Sequence, residues 1–255
     1  MPVTTLLDHP AVAVNLFFAR PDFSPPPSGA RDERVEVAPG VRLHARIHEA
    51  RGASANLILF HGNGEVVSDY DDAAHHFARA GARLAVVDYR GYGRSEGEPS
   101  LRALLADALP AFTGVRAKLG PEPAIVMGRS LGSACAAELA RAAPGALAGI
   151  VFESGFSDVG SFAVRRGLAR EMVREVDVDV IGPIGKLAAS AVPLLVLHGE
   201  RDTLIPAAEG RAAYEASAAR DKELVIVPGR GHNDVSFHPA YWQALTTFIA
   251  RVAGR

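Results

Sequence analysis

Two stretches of the chain read Gly-x-Ser-x-Gly, one centred on Ser95 and one on Ser130. The pattern suits a serine hydroxyl presented as a nucleophile, because small neighbours let the backbone turn sharply enough to expose the oxygen. With 25 glycines in 255 residues, chance alone supplies about 0.1 such matches. Two are present, so their surroundings must choose between them. Ser130 directly follows the apolar run Ile125, Val126, Met127 and Gly128-Arg129, and an Ala-rich helical segment begins at Leu131. That is the strand-turn-helix setting a nucleophile requires, although a serine that merely caps the helix would read the same way. Ser95 lies several residues past its nearest apolar run, and Glu96, Gly97, Glu98 and Pro99 cannot continue as a helix. It is expected in a loop.

A serine hydroxyl is a weak nucleophile until an imidazole takes its proton, and the imidazole needs an acid to fix its tautomer. Of nine histidines, His232 suits the base, since a Gly-Arg-Gly turn after the last β-rich run leaves it on an exposed loop. His238 is a rival; hydrogen bonding at a strand end or helix start is the plainer role for it, and partly for His198 and His61. Asp202, just after another apolar run, is the expected acid, with Glu153 and then Asp158 as competitors. Acyl transfer also needs donors aimed at the oxygen that becomes negative, each worth about 3 kcal/mol. The Leu131 amide, at a helix N-terminus, is one expected donor. The Asn63 amide, between Gly62 and Gly64, is the other, and its carboxamide could also reach substrate. Gly62, Gly64, Arg129 and Phe156 are expected to line the substrate.

These residues need a scaffold that brings them together. Short β-rich runs occupy 34–38, 42–48, 56–60, 83–88, 124–127, 148–152, 193–198 and 223–227, and helical spacing occupies 66–80, 101–118, 131–143, 207–219 and 239–252. Pro39 and Gly40 mark a hairpin between the first two runs, while helix-length segments between the later ones signal parallel βα units. The expected fold is α/β, with a mostly parallel eight-stranded sheet, helices on both faces and a small helical lid. Ligands of such sheets bind beyond the carboxyl ends of the strands. Ser130, Asp202 and His232 all fall there.

Composition narrows the classes. The chain has 48% apolar residues, 27 basic against 29 acidic residues and one cysteine. It can fill a core, carries no electrostatic footprint for nucleic acid, and can form neither an internal disulfide nor a cysteine zinc site. A reducing, cytoplasmic compartment is expected, with Cys135 as a buried core thiol. Residues 1–30 read as an arm, with Leu16, Phe17 and Phe18 packed on a single domain at 31–255. The apolar stretch 11–19 is too short to span a bilayer and lacks flanking basic residues, so membrane binding is not expected.

Residues 128–132 and 61–64, Asp202 and Gly231-His232, together with the run Asp88, Tyr89, Arg90, Gly91, Tyr92, Gly93, Arg94, Ser95, resemble the α/β-hydrolase superfamily. The likeness is to its small-lid branch, which includes depalmitoylase-like and serine-aminopeptidase-like members, and it runs from about residue 31 to the C-terminus. Depalmitoylases of that branch carry an N-terminal cysteine cluster, which this chain lacks. The resemblance implies a cofactor-independent serine hydrolase that cleaves an ester, thioester or amide of a small-molecule acyl substrate through an acyl-enzyme.

The lid would span about 154–192, with Phe156, Phe162, Leu168, Met172 and Val173 facing the site. Arg166, Arg170 and Arg174, at four-residue spacing, could attract an anion, but Glu171 and Glu175 between them favour a solvated face, and near-neutral charge with a small lid favours an uncharged acyl group. Asp69, Asp71 and Asp72 lack the glycine and distal glutamate of a calcium loop, and His75 and His76, adjacent on a helix, make a poor metal pair. Two other readings stand beside this one. A catalytically inactive hydrolase-like interaction module would share the fold, and an NAD-type oxidoreductase would use Gly62, Gly64 and Asp88, although Val67 stands where a third glycine belongs.

Overall fold

The computed structural model describes residues 6–8 and 15–254. The eight strands are β1 (Ala30–Ala38), β2 (Val41–His48), β3 (Ala55–Phe60), β4 (Ala82–Val87), β5 (Ala124–Arg129), β6 (Gly149–Glu153), β7 (Leu194–Gly199) and β8 (Lys222–Val227). They form one open sheet in the order β1-β2-β4-β3-β5-β6-β7-β8. β1 and β2 are an antiparallel hairpin, β2 runs antiparallel to β4, and all other pairings are parallel. Strands β3 to β7 are buried on both faces, which is why they read as unbroken apolar runs.

Alternate residues of each central strand enter different cores. Ile58, Phe60, Val126, Phe152 and Val196 meet α2 (Leu101–Arg116), α3 (Ser133–Ala142) and α7 (Ala207–Ala216) on one face. Leu57, Leu59, Met127, Val151 and Leu197 meet α1 (Ala74–Arg79) and α8 (Pro239–Ala253) on the other. Between β6 and β7, in the stretch expected to form a small helical lid, lie three short helices, α4 (Val159–Arg165), α5 (Glu175–Ile181) and α6 (Pro183–Ala188).

Other differences from the sequence reading have local causes. β1 begins at Ala30 rather than residue 34; its first turn of residues, Arg31 to Arg34, is charged because the strand is a sheet edge, where charge discourages pairing with another chain. The helix expected over 66–80 is broken into a 3-10 turn, Val67–Tyr70, and α1. Asp69 Oδ2 accepts from Val66 N–H at 2.9 Å, capping the 3-10 turn, and Asp71 Oδ2 accepts from Arg46 at 2.7 Å, which ties the chain just after the turn to β2. Of the apolar stretch 11–19, residues 11–14 lie outside the described residues. Leu16 and Phe17 are buried, but Phe18, expected to pack, is 59% exposed. From there the chain runs along the loop that holds Ser95, with Asp22 N–H donating to Gly93 O and Gly93 N–H to Arg20 O. Among the described residues no helix is long and apolar enough to cross a membrane, and no cluster of three metal-binding side chains occurs.

Candidate active site

β5 passes straight into Ser130, whose φ of 51° puts a non-glycine residue in the left-handed region. A 3-10 turn, Ser130–Gly132, then leads into α3. The turn is this tight because helix and strand nearly touch. A Cβ on Gly128 would lie 2.4 Å from Gly132 O, and one on Gly132 would lie 2.0 Å from Phe60 O. Any side chain at either glycine would push the turn open. Backbone strain of this kind costs on the order of 1–3 kcal/mol and persists only where the surroundings enforce it.

Ser130 Oγ lies 3.0 Å from His232 Nε2, and His232 Nδ1 lies 2.7 Å from Asp202 Oδ2. The pairing selects the tautomer in which Nδ1–H donates to the carboxylate and Nε2 accepts from the serine hydroxyl. Asp202 Oδ1 accepts the amides of Leu204 and Ile205 at 2.9 and 2.8 Å, while His198 Nε2 sits 3.3 Å from Oδ2. Burial opposes ionisation of this carboxyl. Hydrogen bonds from His198 and His232 and from the Ile205 amide outweigh it and hold the group far below the usual carboxylate range. His198 itself bonds Ile205 O at 2.8 Å, the strand-end role expected for it.

Arg129 differs from expectation. Its guanidinium is engaged by the protein at all three nitrogens: Nε donates to Glu65 at 2.8 Å, one terminal nitrogen to Glu153 and His232 O at 3.1 Å each, and the other to Asn233 at 2.9 Å. Burial disfavours its charge, but the Glu65 and Glu153 carboxylates more than compensate and raise its pKa. Arg129 thus braces the serine turn against the loop that carries His232. Glu65, which the sequence reading passed over, also accepts the Gly62 amide at 2.7 Å and the Tyr70 hydroxyl at 2.6 Å. Glu153 is occupied by Arg129 and by the Tyr241 hydroxyl at 2.7 Å, and Asp158 caps α4 through the Ser161 amide at 2.8 Å, so neither competes for His232.

Phe60 pairs with Gly128 in the sheet, so the loop 61–64 and Ser130 leave adjacent strands at one edge. The Asn63 carboxamide is consumed there. Its oxygen accepts from Phe18 N–H at 2.9 Å and the Tyr92 hydroxyl at 2.6 Å, and its nitrogen donates to Leu16 O. It ties the N-terminal segment to the site edge and leaves the backbone amide as the group with chemistry to offer. Gly62 and Gly64 flank it, with Phe18 beside Gly64. Phe156 is fully buried and stacks on Phe162 at 4.3 Å, beneath the surface rather than lining an open wall. His61 is buried under Tyr89 and Tyr92, His238 caps α8, and burial pushes the Cys135 thiol up.

An open sheet in this order, with a strained serine turn after β5, an acid after β7 and a histidine after β8, defines the α/β-hydrolase class. A family model described as serine aminopeptidase, S33, matches residues 51–176. An uncharacterized protein of Mycobacterium tuberculosis is 32% identical over 212 residues, covering 82% of this chain and 74% of that one. Alpha/beta hydrolase domain-containing protein 17B of Xenopus laevis is 30% identical over 205 residues, 78% of this chain and 67% of that one. Among solved structures, the Pyrococcus furiosus esterase Pf2001 shares the fold with a TM-score of 0.74 at 18% identity, covering 93% of this chain and 99% of that one. The chain belongs to the α/β-hydrolase family.

Proposed function

We propose that the protein is a serine hydrolase that cleaves a carboxylic ester, thioester or amide through an acyl-enzyme, using 31–255 as one catalytic domain with 154–192 as its lid. The observation that carries this is the unbroken line from Ser130 Oγ through His232 to Asp202, with contacts of 3.0 and 2.7 Å. Ser130 Oγ attacks the carbonyl carbon as its proton passes to His232 Nε2. The Leu131 and Asn63 amides hold the carbonyl oxygen as it becomes negative. The tetrahedral adduct collapses, the leaving alcohol, thiol or amine takes the proton from His232, and water repeats the sequence on the acyl-Ser130 ester. Asp202, held ionised, stabilises the imidazolium and fixes the ring. The serine-aminopeptidase description of the matching family and the esterase fold likeness both support the reaction class.

p-Nitrophenyl esters of rising acyl length, set against aminoacyl anilides, test this reading. We expect a stoichiometric burst of p-nitrophenol with the better esters and its disappearance in Ser130→Ala. Turnover undiminished by that substitution would remove the proposal.

A further inference from the structure

Arg166, Arg170 and Arg174 share a four-residue spacing but not an environment. Arg170 is exposed and pairs with Asp158 at 3.3 Å, and the Arg174 amide starts α5 by donating to Asp177 at 2.8 Å. The adjacent Arg165 pairs with Glu209. Arg166 is half-buried, and among the described residues no carboxylate pairs with it. Its guanidinium carbon lies 6.0 Å from the Phe18 ring centroid and 5.9 Å from that of Phe162. Aromatic faces attract a cation weakly and cannot satisfy five N–H donors. A partly buried cation beside two rings, with the like-charged Arg165 acting on it, carries a desolvation cost that an anion would offset.

Its position says where that anion comes from. Phe18 donates its amide to Asn63 Oδ1, and Tyr92, which senses the charge of Arg166, donates its hydroxyl to the same oxygen. Arg166 is therefore one side chain removed from the loop that offers the Asn63 amide, on the segment that covers the strand ends. Leu16, Leu101 and Leu168 are buried around it, and the Phe18 ring, 59% exposed, is the apolar surface left open beside the guanidinium.

We propose that Arg166 determines specificity by receiving an anionic group, a carboxylate or a phosphate, carried by an otherwise apolar substrate. The proposal rests on the hydrolase reading above and replaces the expectation of an uncharged acyl group. The planar guanidinium binds either anion through paired N–H donors, and the exposed Phe18 ring offers an apolar surface beside it.

The test compares p-nitrophenyl pentanoate with two esters of matching length, one ending in a carboxylate and one in a phosphonate. We expect at least one anionic ester to show a KM about tenfold lower than the neutral ester at similar kcat, the scale of one charge-assisted hydrogen-bonded contact; the better of the two identifies the anion. Arg166→Gln should raise that KM to the level of the neutral ester, Arg166→Lys should keep part of the preference, and Arg170→Gln should keep all of it. Arg166→Lys retains charge, so it separates loss of the anion contact from loss of packing on the rings. Cleavage of the neutral ester with no anion preference, or a preference that survives Arg166→Gln, overturns this inference alone. Cleavage of aminoacyl anilides but of no ester also overturns this inference alone, and failure to cleave either class overturns it together with the hydrolase reading.

Discussion

The molecule contains two places where a Gly-x-Ser-x-Gly serine meets a histidine and an aspartate, and they are built to opposite ends. At Ser130 the histidine presents a ring nitrogen to the hydroxyl and its other nitrogen to Asp202. At Ser95 the nearby histidine is His44, whose Nδ1 lies 2.8 Å from Asp88 and whose Nε2 lies 3.2 Å from Asp32. Both ring nitrogens of His44 face carboxylates. Ser95 instead accepts the His44 backbone amide and donates its hydroxyl to Asp88 O, each at 2.8 Å. A hydroxyl whose proton is already given to a carbonyl has none to pass to a base. The same three residue types therefore make a hydrogen-bonded serine-histidine-aspartate line in one case, the one proposed above to react, and a structural knot in the other, and the direction of the imidazole distinguishes them.

Substitutions in matched pairs should separate the two. Ser130→Ala should lower kcat by about 10³-fold or more, read in ester hydrolysis, whereas Ser95→Ala should leave kcat close to wild type. Thermal melting should show the reverse, with Ser95→Ala losing about 1–2 kcal/mol for its two hydrogen bonds. Asp202→Asn should cost about 10⁴-fold in kcat by favouring the wrong tautomer of His232. Asp88→Asn should act on stability instead, by about 2–4 kcal/mol, because Asp88 is fully buried between His44 and His61 and accepts the Val67 amide. Glu65→Gln should loosen the brace on the His232 loop and lower kcat by about tenfold, with a smaller effect on KM.

Acid titration sharpens the contrast further, with the smallest effect. Burial, helped by the nearby Arg46 charge, pushes His48 down from 6.5 to about 4. The unfolded chain takes up that proton below pH 6.5 while the folded chain does not, so stability falls as pH drops from 6.5 toward 4. The depressed carboxyls of Asp202 and Asp88 act in a lower window, because an Asp that ionises more readily when folded loses its contribution only below its ordinary 3.8. His48→Gln should flatten the first window in a melting-temperature profile and leave the second unchanged.

The central strands were legible because burial on both faces leaves no room for polar residues, and the serine, acid and histidine were legible because they follow the ends of β5, β7 and β8 by one, three and five residues. The brace was not. Arg129 meets Glu65 and His232 O across separations of 64 and 103 residues, and no local spacing records such partners. Arg166 was hidden for a different reason. Its periodicity with Arg170 and Arg174 is that of a solvated face, and the position of Phe18, whose amide the Asn63 carboxamide holds, shows that one of the three lies against a ring. The start of β1 was lost because an edge strand is charged by necessity.

The central claim is that Ser130, and not Ser95, is the activated hydroxyl. Reaction of the folded protein with a fluorophosphonate probe, followed by mass-spectrometric mapping of the modified peptide, tests it directly. One adduct is expected, on Ser130, absent in Ser130→Ala and retained in Ser95→Ala. An adduct on Ser95, or a wild-type protein that stays unlabelled, would contradict it.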